Sequence, residues 1–171
     1  MRSSRAILSF GGIGFLPGPS GTYASLATAA IVVALSSVGP PALAPAVLAA
    51  VGFGCLATLL LGNGLAAPPG PSAPPGLTTG APACHGADPS WVVTDEVAGQ
   101  GVALLLAGFS PARGLVTTVA AFVLFRVFDV WKPGPVGAAE RLPGGLGILA
   151  DDLLAGILAG GLTLGLGAVL P

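Results

Sequence analysis

Asp95-Glu96, Asp129 and Asp151-Asp152 stand at the rims of long apolar runs, and they make up most of the seven acidic side chains in the chain. Between Arg5 and Asp88, and again after Asp152, no side chain is ionised. An acid close to bilayer hydrocarbon costs at least ~2.5–3.5 kcal/mol, so residues placed this way are rarely idle. Three clusters with this placement point to one polyacidic pocket. Such a pocket stays ionised only around a hard cation, and Mg²⁺ is the expected one.

Arg126, Asp129 and Lys132 follow an i, i+3, i+6 spacing that stacks them along one side of a helix. They form either a neutralising ion pair or a phosphate clamp beside a metal ligand. One acid does not neutralise two cations, and the surrounding acids outnumber them, which favours the clamp. Asp95-Glu96 and Asp151-Asp152 are doubled acids at apparent helix starts. A single acid there compensates the helix dipole by ~0.3–1 kcal/mol. Doubling it in a chain so short of charge asks for more. Neighbours on a helix point about 100° apart, so one of each pair faces the pocket while the other tilts toward the rim. The Gly18-Pro19-Ser20-Gly21-Thr22 turn, running into a helix, offers backbone N–H groups to an anion. It lacks the Lys of a nucleotide-binding P-loop.

Other chemistries are excluded or weak. The single histidine, His85, and two cysteines, Cys55 and Cys84, do not make a four-ligand zinc site. One histidine also rules out a phosphohistidine-type phosphatase, and Ser-His-Asp hydrolysis is disfavoured because His85 sits in a Pro-rich stretch. The chain is 8% charged and 53% hydrophobic, with mean hydropathy +0.91. A soluble domain carries about 25% charged residues, so this is an integral membrane protein by composition. A net charge of −1 lacks the basic footprint of a nucleic-acid binder.

The elements that must position these residues are apolar runs. Tyr23 to Val38 is the first, capped by Ser20 or Thr22 and stopped by Gly39-Pro40-Pro41. Ala42 to Leu61 is the second, of spanning length. A Pro/Gly-rich flexible loop is expected at about 62–90. Val97 to Phe109, Leu115 to Val130 and Leu153 to Leu170 follow, with turns at 110–114 and at the Trp131–Pro135 segment. The N-terminus, with Arg2 and Arg5, resembles a signal peptide only in its charge; Gly11, Gly12, Gly14 and Pro17 break its apolar stretch, and it is expected to be retained. Residues 1–171 read as one domain.

Starting inside, alternation of the runs brings all seven acids and every basic residue except Arg113 to the cytoplasmic side. The expected fold is all-α: a membrane-embedded bundle of about four to five apolar helices with a polar site at the cytoplasmic rim. The third run spans only about 20 Å, which allows a re-entrant hairpin where protein surrounds it.

Three blocks carry a resemblance. These are Trp91-Val92-Val93-Thr94-Asp95-Glu96-Val97-Ala98-Gly99-Gln100, the segment from Phe125-Arg126 through Asp129, Trp131-Lys132-Pro133 and Pro135, and Gly144-Gly145-Leu146-Gly147 leading to Asp151-Asp152. In order and spacing they are similar to the phosphatidylglycerophosphatase A family. Gly21-Thr22-Tyr23-Ala24-Ser25-Leu26 resembles that family's N-terminal block, with Ser20 and Ala24 as departures. Glu140 stands where an Asp is usual and ranks below the other acids. The resemblance implies a mainly helical, Mg²⁺-dependent enzyme that removes the terminal phosphate of phosphatidylglycerophosphate to give phosphatidylglycerol.

The resulting expectation is specific. Asp95, Asp129 and Asp152 are the catalytic candidates; Asp95, Glu96, Asp129, Asp151 and Asp152 would hold Mg²⁺ or poise the attacking water. Arg126 and Lys132 would bind the phosphate, and Gly21, Thr22 and Ser25 the headgroup. The partners are a phospholipid substrate and the membrane, without nucleic acid; the location is the inner (cytoplasmic) membrane, multi-pass, with the site facing the cytoplasm. Both a transient phosphoenzyme and direct attack by water fit these residues. The rival reading is a small ion or proton transporter, which would place acids near the middle of its spans.

Overall fold

The computed structural model describes residues 2–36, 40–62, 90–108, 114–143 and 145–169. The elements are α1 (Arg2–Leu8), a 3₁₀ turn (Ile13–Phe15), α2 (Ser20–Ser36), α3 (Pro40–Gly62), α4 (Thr94–Leu106), α5 (Gly114–Trp131), α6 (Pro135–Ala139) and α7 (Gly145–Val169). No strand occurs among the described residues, as the all-α expectation required. Most of the Pro/Gly-rich stretch expected as a flexible loop, with Cys84, His85 and Asp88, lies outside the described residues. So does most of the turn expected at 110–114, with Arg113.

Three helix starts differ from the expectation. α2 begins at Ser20 and takes Gly21 into its first turn, and the Ser20 hydroxyl donates to the Ser90 carbonyl instead of capping its own helix. α3 begins at Pro40, since a proline in a first turn loses no hydrogen bond. α7 begins at Gly145, so Asp151 and Asp152 lie well inside the helix and are not compensating its N-terminal dipole.

α4 is the axis of the bundle. It is the shortest of the long apolar helices, and α2, α3, α5 and α7 all pack against it. Its contacts fix the direction of each neighbour. Ala24 of α2 meets Val93 and Val97, and Val32 joins the cluster of Ala103, Leu104 and Ala107, so α2 runs parallel to α4. Thr58 bonds Thr94 hydroxyl to hydroxyl at 2.9 Å while Val47 packs near Ala103, so α3 is antiparallel. In α7, Gly156 lies on Gly99, and Gly160 lies on Ala103 and Leu106, a second parallel pair. α1 closes this end: Leu8 packs on Ala57 and Val92, and its carbonyl accepts the Val93 N–H at 2.8 Å.

The packing is inside-out relative to a soluble domain. Alanine and glycine fill the interior at Ala24, Ala98, Gly99, Ala103, Ala121, Ala155 and Gly156, all buried. Val116, Val119, Val123, Val127 and Val130 of α5 form an outward apolar stripe, and Leu48, Phe53, Leu56 and Leu60 do the same on α3. Small residues between close helices with large apolar groups outside is the arrangement of helices packed in lipid. α5 and α7 are long and apolar enough to cross a membrane.

Candidate functional site

The directions of α2, α4, α5 and α7 bring the starts of the parallel helices and the end of α5 together. Asp95, Glu96, Arg126, Asp129, Lys132, Glu140, Asp151 and Asp152 all fall at that end. Asp95 and Glu96 occupy the first turn of α4. Asp152 arrives from α7 at the level of Gly99, whose missing side chain lets the Asp152 main chain approach; a Cβ there would stand 2.5 Å from the Asp152 carbonyl oxygen. Carboxylate oxygens of Asp95, Glu96 and Asp152 all lie within 4.8 Å of one another. Asp95 and Asp152 are buried.

Gly21 is the reason Glu96 fits. The Glu96 carboxylate occupies the space that a Gly21 side chain would fill. The α2 start is therefore in contact with an acid. Thr22 lies in the same turn, half-buried, and the buried Ser25 hydroxyl donates to the Gly21 carbonyl at 2.9 Å.

α5 adds the fourth acid. Asp129 comes close enough to interact with both Glu96 and Asp152. Its Oδ2 is paired with Arg126 Nη1 at 2.6 Å, one turn back on the same helix. The ion pair that the Arg126–Asp129 spacing allowed is therefore present, and it borders the acid cluster.

Asp151 is separate. Lys132 Nζ donates to Asp151 Oδ2 at 2.8 Å and pairs with Glu140 Oε1 at 2.9 Å. The α7 doublet therefore divides, Asp152 to the cluster and Asp151 to the lysine. The α4 doublet does not divide, because Asp95 and Glu96 both reach the cluster. Glu140, ranked low by sequence, is a partner of Lys132. Burial works against the Lys132 ammonium, but the two carboxylates outweigh it and raise its pKa, so it is charged at any physiological pH. Lys132 also occupies the left-handed region at φ 48°, one residue past α5. That conformation costs a side-chain-bearing residue about 1–2 kcal/mol. We expect Lys132→Met to lose about 1.5–3 kcal/mol by leaving Asp151 without its charged partner. Lys132→Gly should lose about 1 kcal/mol less, because glycine adopts this φ freely. Thermal unfolding of both variants in detergent checks this; equal losses would show that the backbone carries no strain.

The donor set tests what could sit in the cluster. Three carboxylates gather beside the Arg126–Asp129 pair, and Glu96 Oε2 is buried without a hydrogen-bond partner. Buried like charges of this number need a cation. All donors are hard oxygens, which select Mg²⁺, Ca²⁺ or Mn²⁺ over zinc. Oxygens on opposite sides of Mg²⁺ stand about 4.2 Å apart, twice the ~2.1 Å bond. The trio, within 4.8 Å of one another, is close to that span, so the residues fit a divalent cation after a small inward shift of their side chains.

Comparisons with known proteins agree with this geometry. The phosphatidylglycerophosphatase A family profile matches residues 77–167. That stretch contains Asp95, Glu96, Arg126, Asp129, Lys132, Asp151 and Asp152; Gly21, Thr22 and Ser25 lie outside it. A Bacteroides thetaiotaomicron protein, provisionally named phosphatidylinositol-3-phosphatase, is 45% identical over 74 residues, 43% of this chain and 46% of that protein. Phosphatidylglycerophosphatase A of Escherichia coli is 36% identical over 72 residues, 42% of this chain and 40% of its own length. Its Haemophilus influenzae namesake is 44% identical over 69 residues, 40% of each chain. The matched stretch is thus less than half the length of each of these relatives. No solved structure matches the chain. With a profile match over more than half of its residues, centred on the segments that carry the acid cluster, the chain belongs to the phosphatidylglycerophosphatase A family.

Proposed function

We propose that the protein is a membrane-embedded phosphatase that uses Mg²⁺ to release the terminal phosphate of phosphatidylglycerophosphate. The observation that carries this reading is the convergence of Asp95, Glu96 and Asp152 beside the Arg126–Asp129 pair. Asp95, Glu96 and Asp152 would hold the cation, with Asp129 at its edge. When bound, the cation neutralises phosphoryl oxygens and favours attack by water at phosphorus. Arg126, fixed by Asp129, presents its remaining N–H donors to the phosphoryl oxygens, where charge grows in the transition state. Water forms the new P–O bond and the bond from phosphorus to the glycerol oxygen breaks. Asp129 is placed to take the proton that the water loses and return it to the leaving oxygen. Lys132, already held by two carboxylates, contributes positive charge at the outer edge, and Gly21, Thr22 and Ser25 border the headgroup.

The outward apolar stripes support a multi-pass protein whose lipid substrate keeps its chains in the bilayer. Arg5, Arg126, Lys132 and Arg141 lie toward the polar end, which supports orienting that end to the cytoplasmic face of the inner membrane. The same distribution argues against a transporter, since no described acid lies near the middle of α5 or the far half of α7.

Release of inorganic phosphate from phosphatidylglycerophosphate by the detergent-purified protein tests the reading. EDTA should reduce release to background and added Mg²⁺ should restore it. Metal-independent release would overturn the cation assignment. Release from phosphatidylinositol 3-phosphate, run in parallel, with none from phosphatidylglycerophosphate would overturn the substrate assignment.

A further inference from the structure

Gln100 is fully buried, at 0% exposure, and neither its amide nitrogen nor its amide oxygen has a hydrogen-bond partner. An amide with both ends unsatisfied in a helical interior is rare and calls for an explanation. Its position supplies one. Gln100 lies four residues after Glu96, on the same face of α4 and one turn deeper. Side chains on a helix lean toward its N-terminus, which here is the acid end, so the long Gln100 side chain reaches up toward the turn of Glu96.

The parallel neighbour does not satisfy it. Gly21 stands against Glu96, so the register of α2 puts Ser25 at the depth of Gln100. The Ser25 hydroxyl proton is committed to the Gly21 carbonyl at 2.9 Å, and the next hydroxyl, of Thr28, donates to the Ala24 carbonyl at 2.9 Å. One turn above Gln100, Glu96 Oε2 is likewise buried without a hydrogen-bond partner. Two unsatisfied polar groups therefore lie one turn apart on the same face of α4, one a carboxylate and the other an amide with both a donor and an acceptor.

We propose that Gln100 is a positioning residue forming the floor of the cation site. Its N–H group donates to the Glu96 carboxylate, and its carbonyl oxygen turns to the cation or to a water held by it. This inference rests on the cation-binding reading of the acid cluster. It assigns to Gln100 the task of orienting Glu96, which the acids alone leave with one oxygen unsupported. Loss of such supporting hydrogen bonds around metal ligands typically weakens binding 10–100-fold.

The test is Mn²⁺ binding to the purified full chain in detergent, followed by the electron paramagnetic resonance signal of free Mn²⁺, with thermal unfolding measured with and without the ion. Wild type should bind, and Asp152→Asn should not. Gln100→Met, of similar length and without polar atoms, should raise the Mn²⁺ dissociation constant 10–100-fold. Unchanged affinity in Gln100→Met together with a higher ion-free Tm would overturn the proposal, because that is the behaviour of a core residue relieved of an unsatisfied amide. A wild type that binds no Mn²⁺ would overturn the cation reading itself and the role of Gln100 with it. Should Gln100→Met not fold, Gln100→Leu decides by the same measure: unchanged Mn²⁺ affinity overturns the proposal and a 10–100-fold loss supports it.

Discussion

Asp152→Asn should abolish phosphate release while making the cation-free protein more stable. The two effects have one cause. Asp152 is buried, and its carboxylate shares a space within 4.8 Å with those of Asp95 and Glu96. Without a cation the three repel, and removing one charge while keeping the shape relieves that repulsion by about 1 kcal/mol or more. With a cation the same change removes a ligand on which the transition-state charge depends, a loss on the order of 10²–10³-fold or greater. Thermal unfolding in EDTA should show Asp152→Asn above wild type by a few degrees, about 2–4 °C for each kcal/mol in a chain of this size. Added Mg²⁺ should raise the wild type and leave the variant unmoved. A variant less stable than wild type under both conditions would mean that Asp152 is a structural acid, and the cluster would not be a cation site.

Gly156→Leu should prevent α7 from docking and with it the assembly of the site. A Cβ at Gly156 would collide with the carbonyl oxygen of Gly99, a backbone atom with nowhere to move. Leucine adds three carbons more, and overpacking a contact of this kind costs about 1–3 kcal/mol, often beyond that when backbone must shift. Because Asp152 sits one turn before Gly156, separation of the helices also withdraws it from Asp95 and Glu96. We expect loss of a cooperative thermal transition in mild detergent and loss of phosphate release. Gly161→Ala, where a Cβ meets nothing within 4 Å, is the control. It should be neutral or stabilising by about 0.5–1 kcal/mol, since alanine is the better helix former. Equal behaviour of the two variants would show that the Gly99–Gly156 contact does not hold the bundle together.

The acids, Arg126 and Lys132 were legible in the sequence because charge is so scarce that each residue stands out. Their convergence also followed from the alternation of apolar runs, which the parallel α2–α4 and α4–α7 pairs reproduce. Helix starts were less legible. The stretch before Asp151 reads as a connector because Gly145 and Gly147 disfavour a helix by about 1 kcal/mol each. In the fold those glycines are what let α7 begin there, since a side chain at Gly147 would collide with the Leu142 carbonyl. The division of the Asp151-Asp152 doublet was anticipated in kind, but not which member turns where; that depends on where Lys132 emerges from α5. The contact of Gly21 with Glu96 joins residues far apart in the chain and has no local signal. Gln100 was legible only as part of the block that carries the family resemblance, since an unsatisfied amide is a property of the packed interior.

In the membrane-embedded reading proposed above, the brevity of α4 has a further consequence. Its 13 residues reach only about 20 Å, whereas the hydrocarbon is about 30 Å thick. With its acid end held at one interface, its other end stops roughly 10 Å short of the opposite one. Hydrophobic mismatch then falls on the lipids beside the longer α5 and α7, so the tension stored around the protein depends on acyl-chain length. On that reading the membrane's thickness would be a mechanical input at the deep end of the helix that carries Asp95 and Glu96.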